Sequence, residues 1–251
     1  MLTTLLVAAL LVLVAPGRTT AQILDVEGRY WFTTLDASTR VESGSIPGTR
    51  IDLGQDLDVD DENLPEIRLT FSTGLNSKLR LAYLQGAFDG DTTLGQSIQF
   101  SGTTFAANTR VETDLDLYYG RIGWTWQFPV VPGIFKIGPL VELKGLVIDA
   151  TVRAPGTGLR ESGLLPMAFP TLGGMLNVTP IAALDIFAEV SGMTFGGLGH
   201  VVDAEAGLRF IPIRFLTLSA GYRVFDVRIE HDDDFAKLKL TGPFIGASFR
   251  F

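Results

Sequence analysis

The stretches VVDAEAGLRF (residues 201–210) and LTLSAGYRV (216–224), joined by IPIRF, decide how this chain folds. In the first, Val202, Ala204, Ala206, Leu208 and Phe210 fall on one side of an extended chain. Asp203, Glu205, Gly207 and Arg209 fall on the other. In the second, Leu216, Leu218, Ala220, Tyr222 and Val224 oppose Thr217, Ser219, Gly221 and Arg223. A period of two is that of a β-strand with two unlike faces. Two such runs with a short link predict an antiparallel hairpin.

The same period recurs outward from this hairpin. EIRLTF (66–71) sets Ile67, Leu69 and Phe71 against Glu66, Arg68 and Thr70; KLRLAY (78–83) sets Leu79, Leu81 and Tyr83 against Lys78, Arg80 and Ala82. ALDIFAEV (183–190) alternates Leu184, Ile186, Ala188 and Val190 with Asp185, Phe187 and Glu189. No helical period competes after residue 21. The pattern predicts ten strands, near 23–36, 64–73, 78–89, 109–127, 134–152, 160–177, 182–196, 199–211, 214–230 and 235–251, with eight as the alternative. Breaks of phase near Tyr118 and Phe225 read as β-bulges. Pro166 and Pro170 interrupt the 160–177 strand.

Composition narrows the setting. The chain has 251 residues and no cysteine, so disulfides and thiolate metal sites are excluded. Its net charge of −8 argues against nucleic acid as a partner, because phosphate binding needs a basic face. Residues 1–21 stand apart: LLVAALLVLVAP is a short apolar run, and Thr19 and Ala21 are small residues before a cut at Gln22. They read as a signal peptide, although no Lys or Arg precedes the run, leaving 22–251 as the mature domain. After it no apolar run is long enough for a spanning helix. An exported, apolar, period-two chain can still cross a membrane if every backbone group is paired in a closed sheet.

Loop lengths and aromatic positions point the same way. GLNS, FPVVPG, VTP and IPI are short connections, whereas residues 37–63 and 90–108 are long, polar and acidic. A transmembrane barrel has short turns on one side and long loops on the other. Phe71, Trp124, Trp126, Phe128, Phe135, Phe210, Phe215, Phe249 and Phe251 lie near short turns or the C-terminus, as an interfacial band would. The expected fold is all-β: an antiparallel transmembrane β-barrel in the bacterial outer membrane.

In such a barrel the polar faces meet in the lumen. The inward set is Glu27, Arg29, Glu66, Arg68, Arg80, Arg121, Lys136, Glu142, Lys144, Asp185, Glu189, Asp203, Glu205, Arg209, Arg223 and Arg250. Seven acids facing nine bases allow a paired network that fills a narrow lumen and leaves no wide pore.

The final octet, FIGASFRF (244–251), carries a resemblance. Gly246, Phe249 and Phe251 follow the spacing glycine, two residues, aromatic, one residue, terminal aromatic. This resembles the β-signal read by the bacterial barrel assembly machinery; Phe244 stands where that signal usually has a polar residue. With IDLGQDLDVDD (51–61) and the last hairpin, the mature chain is similar to small outer-membrane barrels of the OmpA-like and OmpW-like type. The resemblance implies a barrel among outer-membrane lipid and lipopolysaccharide, assembled by that machinery, with no cofactor. It implies no single activity. An OmpW-like route for an apolar ligand would need a lateral opening, for which the 160–177 strand is the candidate.

Catalysis is the alternative. Outer-membrane lipid A enzymes use a His with a Ser and an acid, and His200 lies near Ser191 and Glu189 in sequence. Omptin-like proteases use a His–Asp pair and acids at the outer rim, and His231 adjoins Asp232, Asp233 and Asp234, with Asp114 and Asp116 on a strand. The acidic segment 52–62 lacks the glycine and glutamate spacing of an EF-hand loop and reads as a solvated outer loop without metal. The reading favoured is a non-catalytic barrel with a structural or surface role, or a narrow small-solute channel.

Overall fold

A computed structural model describes residues 24–40, 49–74, 76–100, 103–231 and 234–251, without the side chains of His231 and Asp234. The expected signal peptide, 1–21, lies outside the described residues. The elements are β1 (Leu24–Phe32), β2 (Thr34–Arg40), β3 (Ile51–Asp52), the one-turn helix α1 (Leu53–Asp56), β4 (Asn63–Ser72), β5 (Ser77–Thr93), β6 (Ile98–Phe100) and β7 (Thr103–Phe105). After them come β8 (Arg110–Trp126), β9 (Phe128–Val131), β10 (Phe135–Ala154), β11 (Leu159–Ile181), β12 (Leu184–Thr194), β13 (Gly199–Ile213), β14 (Leu216–His231) and β15 (Asp234–Arg250).

Hydrogen bonding follows the order β1, β4, β5, β8, β10, β11, β12, β13, β14, β15, and β15 returns to β1, closing a barrel of ten staves. β1 and β2 form one stave, interrupted at Thr33. β15 pairs with both in unbroken register, from Asp25↔Arg250 through Trp31↔Phe244 to Thr34↔Thr241 and Arg40↔Phe235. Starting at Leu24 and stepping across Phe71, Leu79, Trp124, Val141, Leu172, Gly192, Val202, Asp226 and Lys239, the circuit returns to the first stave at Asp36. The offset means the strands tilt against the barrel axis, as closure requires.

Two regions with opposite polarity stack along the axis. In the half holding the short turns and Phe251, apolar side chains point out: Ile67, Tyr83, Ile122, Trp124, Leu143 and Leu172 are all exposed. No described outward residue in this belt carries a charge. In the other half the polarity inverts. Along β8, Ile122, Trp124 and Trp126 point out from the belt, whereas Arg110, Glu112, Asp114 and Asp116 point out above it. Facing inward on the same strand, Arg121 gives way to Tyr119, Leu117, Leu115 and Val111. β14 changes at the same level, from Arg223 inward to Phe225 and Val227.

This inversion corrects the two expected bulges. The registers through Tyr118 and Phe225 run without a shift on both sides. The backbone continues; only the medium outside it changes, from lipid to water. The prolines also find an explanation. β11 pairs with β12 only from Leu172 onward, so Pro166 and Pro170 lie where β11 has a single neighbour, β10. There a missing N–H is tolerated, and β11 runs unbroken through both.

The segment read as a solvated acidic loop instead caps the outer end. Ile51, Leu53, Leu57 and Val59 are buried in an apolar core with Phe88, Leu115, Val152, Val227 and Leu238. The acids hold its backbone: Asp52 caps α1 by accepting from the Gln55 N–H at 3.0 Å, and Asp56 accepts from the Asp52 N–H at 2.8 Å. Asp61 accepts from the Leu35 N–H at 2.7 Å, tying the cap to the first stave. Leu94, Ile98 and Phe105, on and beside the β6–β7 hairpin, add to the same core.

Candidate functional site

The candidate site is the lumen of the belt half, where alternation turns every second residue inward. At its centre Asp203 on β13 accepts from Arg223 through Nε and Nη2, both at 2.9 Å. It also accepts from Lys144 Nζ at 2.6 Å and from the Tyr119 hydroxyl at 3.0 Å. Glu205, two residues along, takes a two-pronged contact from Arg68 at 2.8 and 2.7 Å and a longer one from Arg29 at 3.2 Å. Glu66 pairs with Arg68 and Arg223 at 2.8 and 3.2 Å. Glu142 accepts from Ser191 Oγ at 2.7 Å and pairs with Lys144 at 3.0 Å. Arg80 bridges Glu189 and Glu142. Glu27 pairs with Arg29 at 2.8 Å and accepts from Ser219 Oγ at 2.8 Å. Arg121 lies 3.5 Å from Asp203.

Arg29 on β1 and Arg68 on β4 cross the lumen to Glu205 on β13, as Lys144 on β10 does to Asp203, whereas Glu27–Arg29, Glu66–Arg68 and Glu142–Lys144 run along single strands and Arg223 reaches Asp203 from the adjacent strand. Lys144 is fully buried and Arg223 is 2% exposed. Charges removed from water in this way require partners on most donors and acceptors, and the multivalent geometry supplies them. Cation–π stacking seals the top of the network. Arg223 lies over Trp31 at 4.7 Å, and Arg29 over Phe244 at 4.4 Å. Above this layer begins the apolar core.

The structure therefore brings together most of the inward set read from the sequence. Asp185 and Arg250 stand apart at the short-turn mouth: Asp185 accepts from Thr179, and Arg250 lies 3.3 Å from Asp25. Arg209 has no carboxylate within ion-pair distance and instead stacks over Phe187 at 3.7 Å. Sequence reading missed Asp25 and Lys78, both lumen-facing at strand ends, and the uncharged members Tyr119 and Ser191. For Lys78 the signal was present, since it shares the face of Arg80.

Of the assembly-signal residues, Phe249 and Phe251 point outward at the belt's edge. Gly246 points inward, where a Cβ would come within 2.8 Å of the Arg29 side chain and 2.6 Å of Ser219 Oγ. A glycine at this place thus lets the arginine pass.

Among the described residues, those weighed for catalysis do not converge. His200 and Ser191 face opposite sides of the sheet: Ser191 is bonded in the lumen, and His200 lies outside, 3.6 Å from Asp226. Asp114 and Asp116 also face outward, with Asp114 bridged to Arg153 at 3.0 Å. The side chains of His231 and Asp234, and all of Asp232 and Asp233, lie outside the described residues. Among the described residues no group of acids and histidines is placed to hold a metal.

A second cavity, of about 300 Å³, lies in the outer half, lined by Leu53, Leu57, Leu115, Val152, Leu165 and Val227. Gly163 and Met167, on the part of β11 that lacks a second neighbour, complete its wall.

No family model and no curated protein matches the sequence. Solved structures do match the fold. The outer-membrane protease OmpT of Escherichia coli superposes with a TM-score of 0.63 at 7% identity, over 93% of this chain and 99% of that one. The translocator domain of the autotransporter NalP from Neisseria meningitidis gives 0.50 at 10% identity, over 92% and 90%. The attachment invasion locus protein Ail of Yersinia pestis gives 0.39 at 10% identity, over 92% and 100%. At such identities the likeness speaks for fold alone. With a closed circuit, a charge-free apolar belt and an ionic lumen, the chain is a ten-stranded transmembrane β-barrel of the bacterial outer-membrane kind.

Proposed function

We propose that the protein is a non-catalytic, non-conducting barrel that presents a rigid, polar-coated head above the outer leaflet. The observation that carries this reading is the double closure of the lumen. The belt half is crossed by the Asp203–Arg223–Lys144 and Glu205–Arg68–Arg29 contacts, and the outer half is filled by apolar side chains beneath the 51–59 cap. A pore needs a continuous wet path, and among the described residues ionic contacts span one half while apolar side chains occupy the other. The surroundings on this reading are outer-membrane lipid and lipopolysaccharide around the belt, with the assembly machinery reading the last strand. In planar bilayers the purified protein gives no discrete current steps. Steps of stable amplitude would restore the channel.

The apolar cavity favours a second reading, the capture of a small apolar molecule from outside. A lining with almost no polar atoms and a wall formed by a half-paired strand suits such a ligand. Saturable binding of an apolar fluorescent probe, lost when Leu57→Asp unseats the cap, is its test.

A further inference from the structure

The lumen's charges do not balance, and the surplus lies in one place. Adding Asp25 and Lys78 to the seven acids and nine bases read from the sequence gives eight acids against ten bases in the belt half. Most of these cancel in the crossing network. Lys78, Lys136 and Arg209 do not: among the described residues, none has a carboxylate within 4 Å. The one acid near them without a basic partner, Asp185, accepts from the Thr179 hydroxyl and keeps its charge, so three free cations against one free acid leave the surplus of two.

All three cations line one cavity of about 400 Å³ at the short-turn mouth, below the network. The strongest charges acting on Lys78 are of its own sign: Arg209, Arg250, Lys136 and Arg80. Arg209 is held in place by its stacking on Phe187, so its guanidinium edge is positioned without being consumed by an acid. Ser72, Thr125, Gln127 and Thr217 add hydroxyls and amides to the lining, whose carboxylates are Glu27 and Glu189, held by Arg29 and Arg80, Asp25, beside Arg250, and Asp185. Like charges gathered in a confined space repel one another unless an anion joins them. A surplus of two matches an anion of charge two. A guanidinium fork and two mobile ammonium groups are the donor set that suits phosphate oxygens.

We propose that this vestibule binds a small dianionic oxyanion, free phosphate or the phosphate of a small monoester, with Lys78, Lys136 and Arg209 as its ligands. The cavity faces the compartment on the short-turn side, so the anion enters from there. The closed network above makes this a binding site and not a route. The volume accommodates phosphate with ordered water, or a monoester carrying a small organic group.

The test follows the unfolding midpoint of the full chain, folded in detergent, read by its heat-modifiable migration. Phosphate is titrated against chloride at constant ionic strength. The midpoint rises saturably with phosphate and not with chloride. In the double variant Lys78→Gln/Lys136→Gln the rise disappears, and apparent affinity measured by calorimetry falls at least about tenfold. Because these lysines have no acid partner, the variant's midpoint without phosphate is at or above that of the native chain. An equal rise with chloride, meaning screening alone, overturns the proposal, and so does a full rise retained in the variant. Glycerol phosphate distinguishes the sources: tighter binding than phosphate identifies a monoester, and equal or weaker binding identifies the free ion. If the variant does not fold, calorimetry on the native chain decides, since absence of saturable phosphate binding overturns the site.

Discussion

At the scale of single residues, Asp203 is the point on which the lumen depends. It receives four donors from Arg223, Lys144 and Tyr119. Removing one partner of a buried ionic group leaves the others charged and desolvated, a cost of about 3–5 kcal/mol. Asp203→Ala is expected to lower folding free energy by about that amount, measured by urea titration of the barrel in lipid vesicles. An exposed pair such as Arg228–Glu230 gives less than about 1 kcal/mol in the same assay. Most of the network was legible because alternation alone tells which face a residue occupies. What alternation does not tell is who meets whom across the lumen. Arg29 and Glu205 are 176 residues apart, and only barrel closure and shear bring them together. Tyr119 escaped notice, and Ser191 was read only as a partner of His200, because a hydroxyl in an otherwise ordinary strand carries no signal for the lumen until its partner is known.

At the scale of elements, two features of the pattern admitted more than one cause. A break in hydrophobic phase reads as a bulge if one medium surrounds the whole strand. β8 and β14 instead pass from lipid into water, so the inward and outward faces exchange character while the pairing continues. The acidic segment read as solvated because its charges dominate its composition. Its apolar residues, Ile51, Leu53, Leu57 and Val59, nonetheless fall on one side and enter the outer core. Placing a carboxylate there should release the cap. Leu57→Asp is expected to expose residues 53–62 to limited proteolysis within minutes, while the barrel stays heat-modifiable. A cap that remains resistant in this variant would show that its apolar contacts do not hold it.

At the scale of the whole molecule, the barrel meets two solvents along one axis. The belt half is inside-out relative to a soluble protein, apolar toward lipid and ionic within. The outer half has the polarity of an ordinary soluble β-structure, with β8 and β14 turning charged residues toward water and apolar ones into the core. Long strands such as β5, with 17 residues, and β10, with 20, exceed the roughly 9–11 residues needed to cross the hydrocarbon. The excess forms the head. The chain contains no cysteine, so single cysteines report cleanly on their surroundings. Spin labels placed by Trp124→Cys, Ile122→Cys, Asp116→Cys, Asp114→Cys and Glu112→Cys sample one outward face of β8 from belt to head. Their relative accessibility to oxygen and to a water-soluble nickel chelate, in reconstituted barrels, tests the inversion directly. Labels at 124 and 122 should favour oxygen, and those at 116, 114 and 112 should favour nickel, with the crossover at Tyr118. Uniform oxygen preference along all five positions, or uniform nickel preference, would contradict the account.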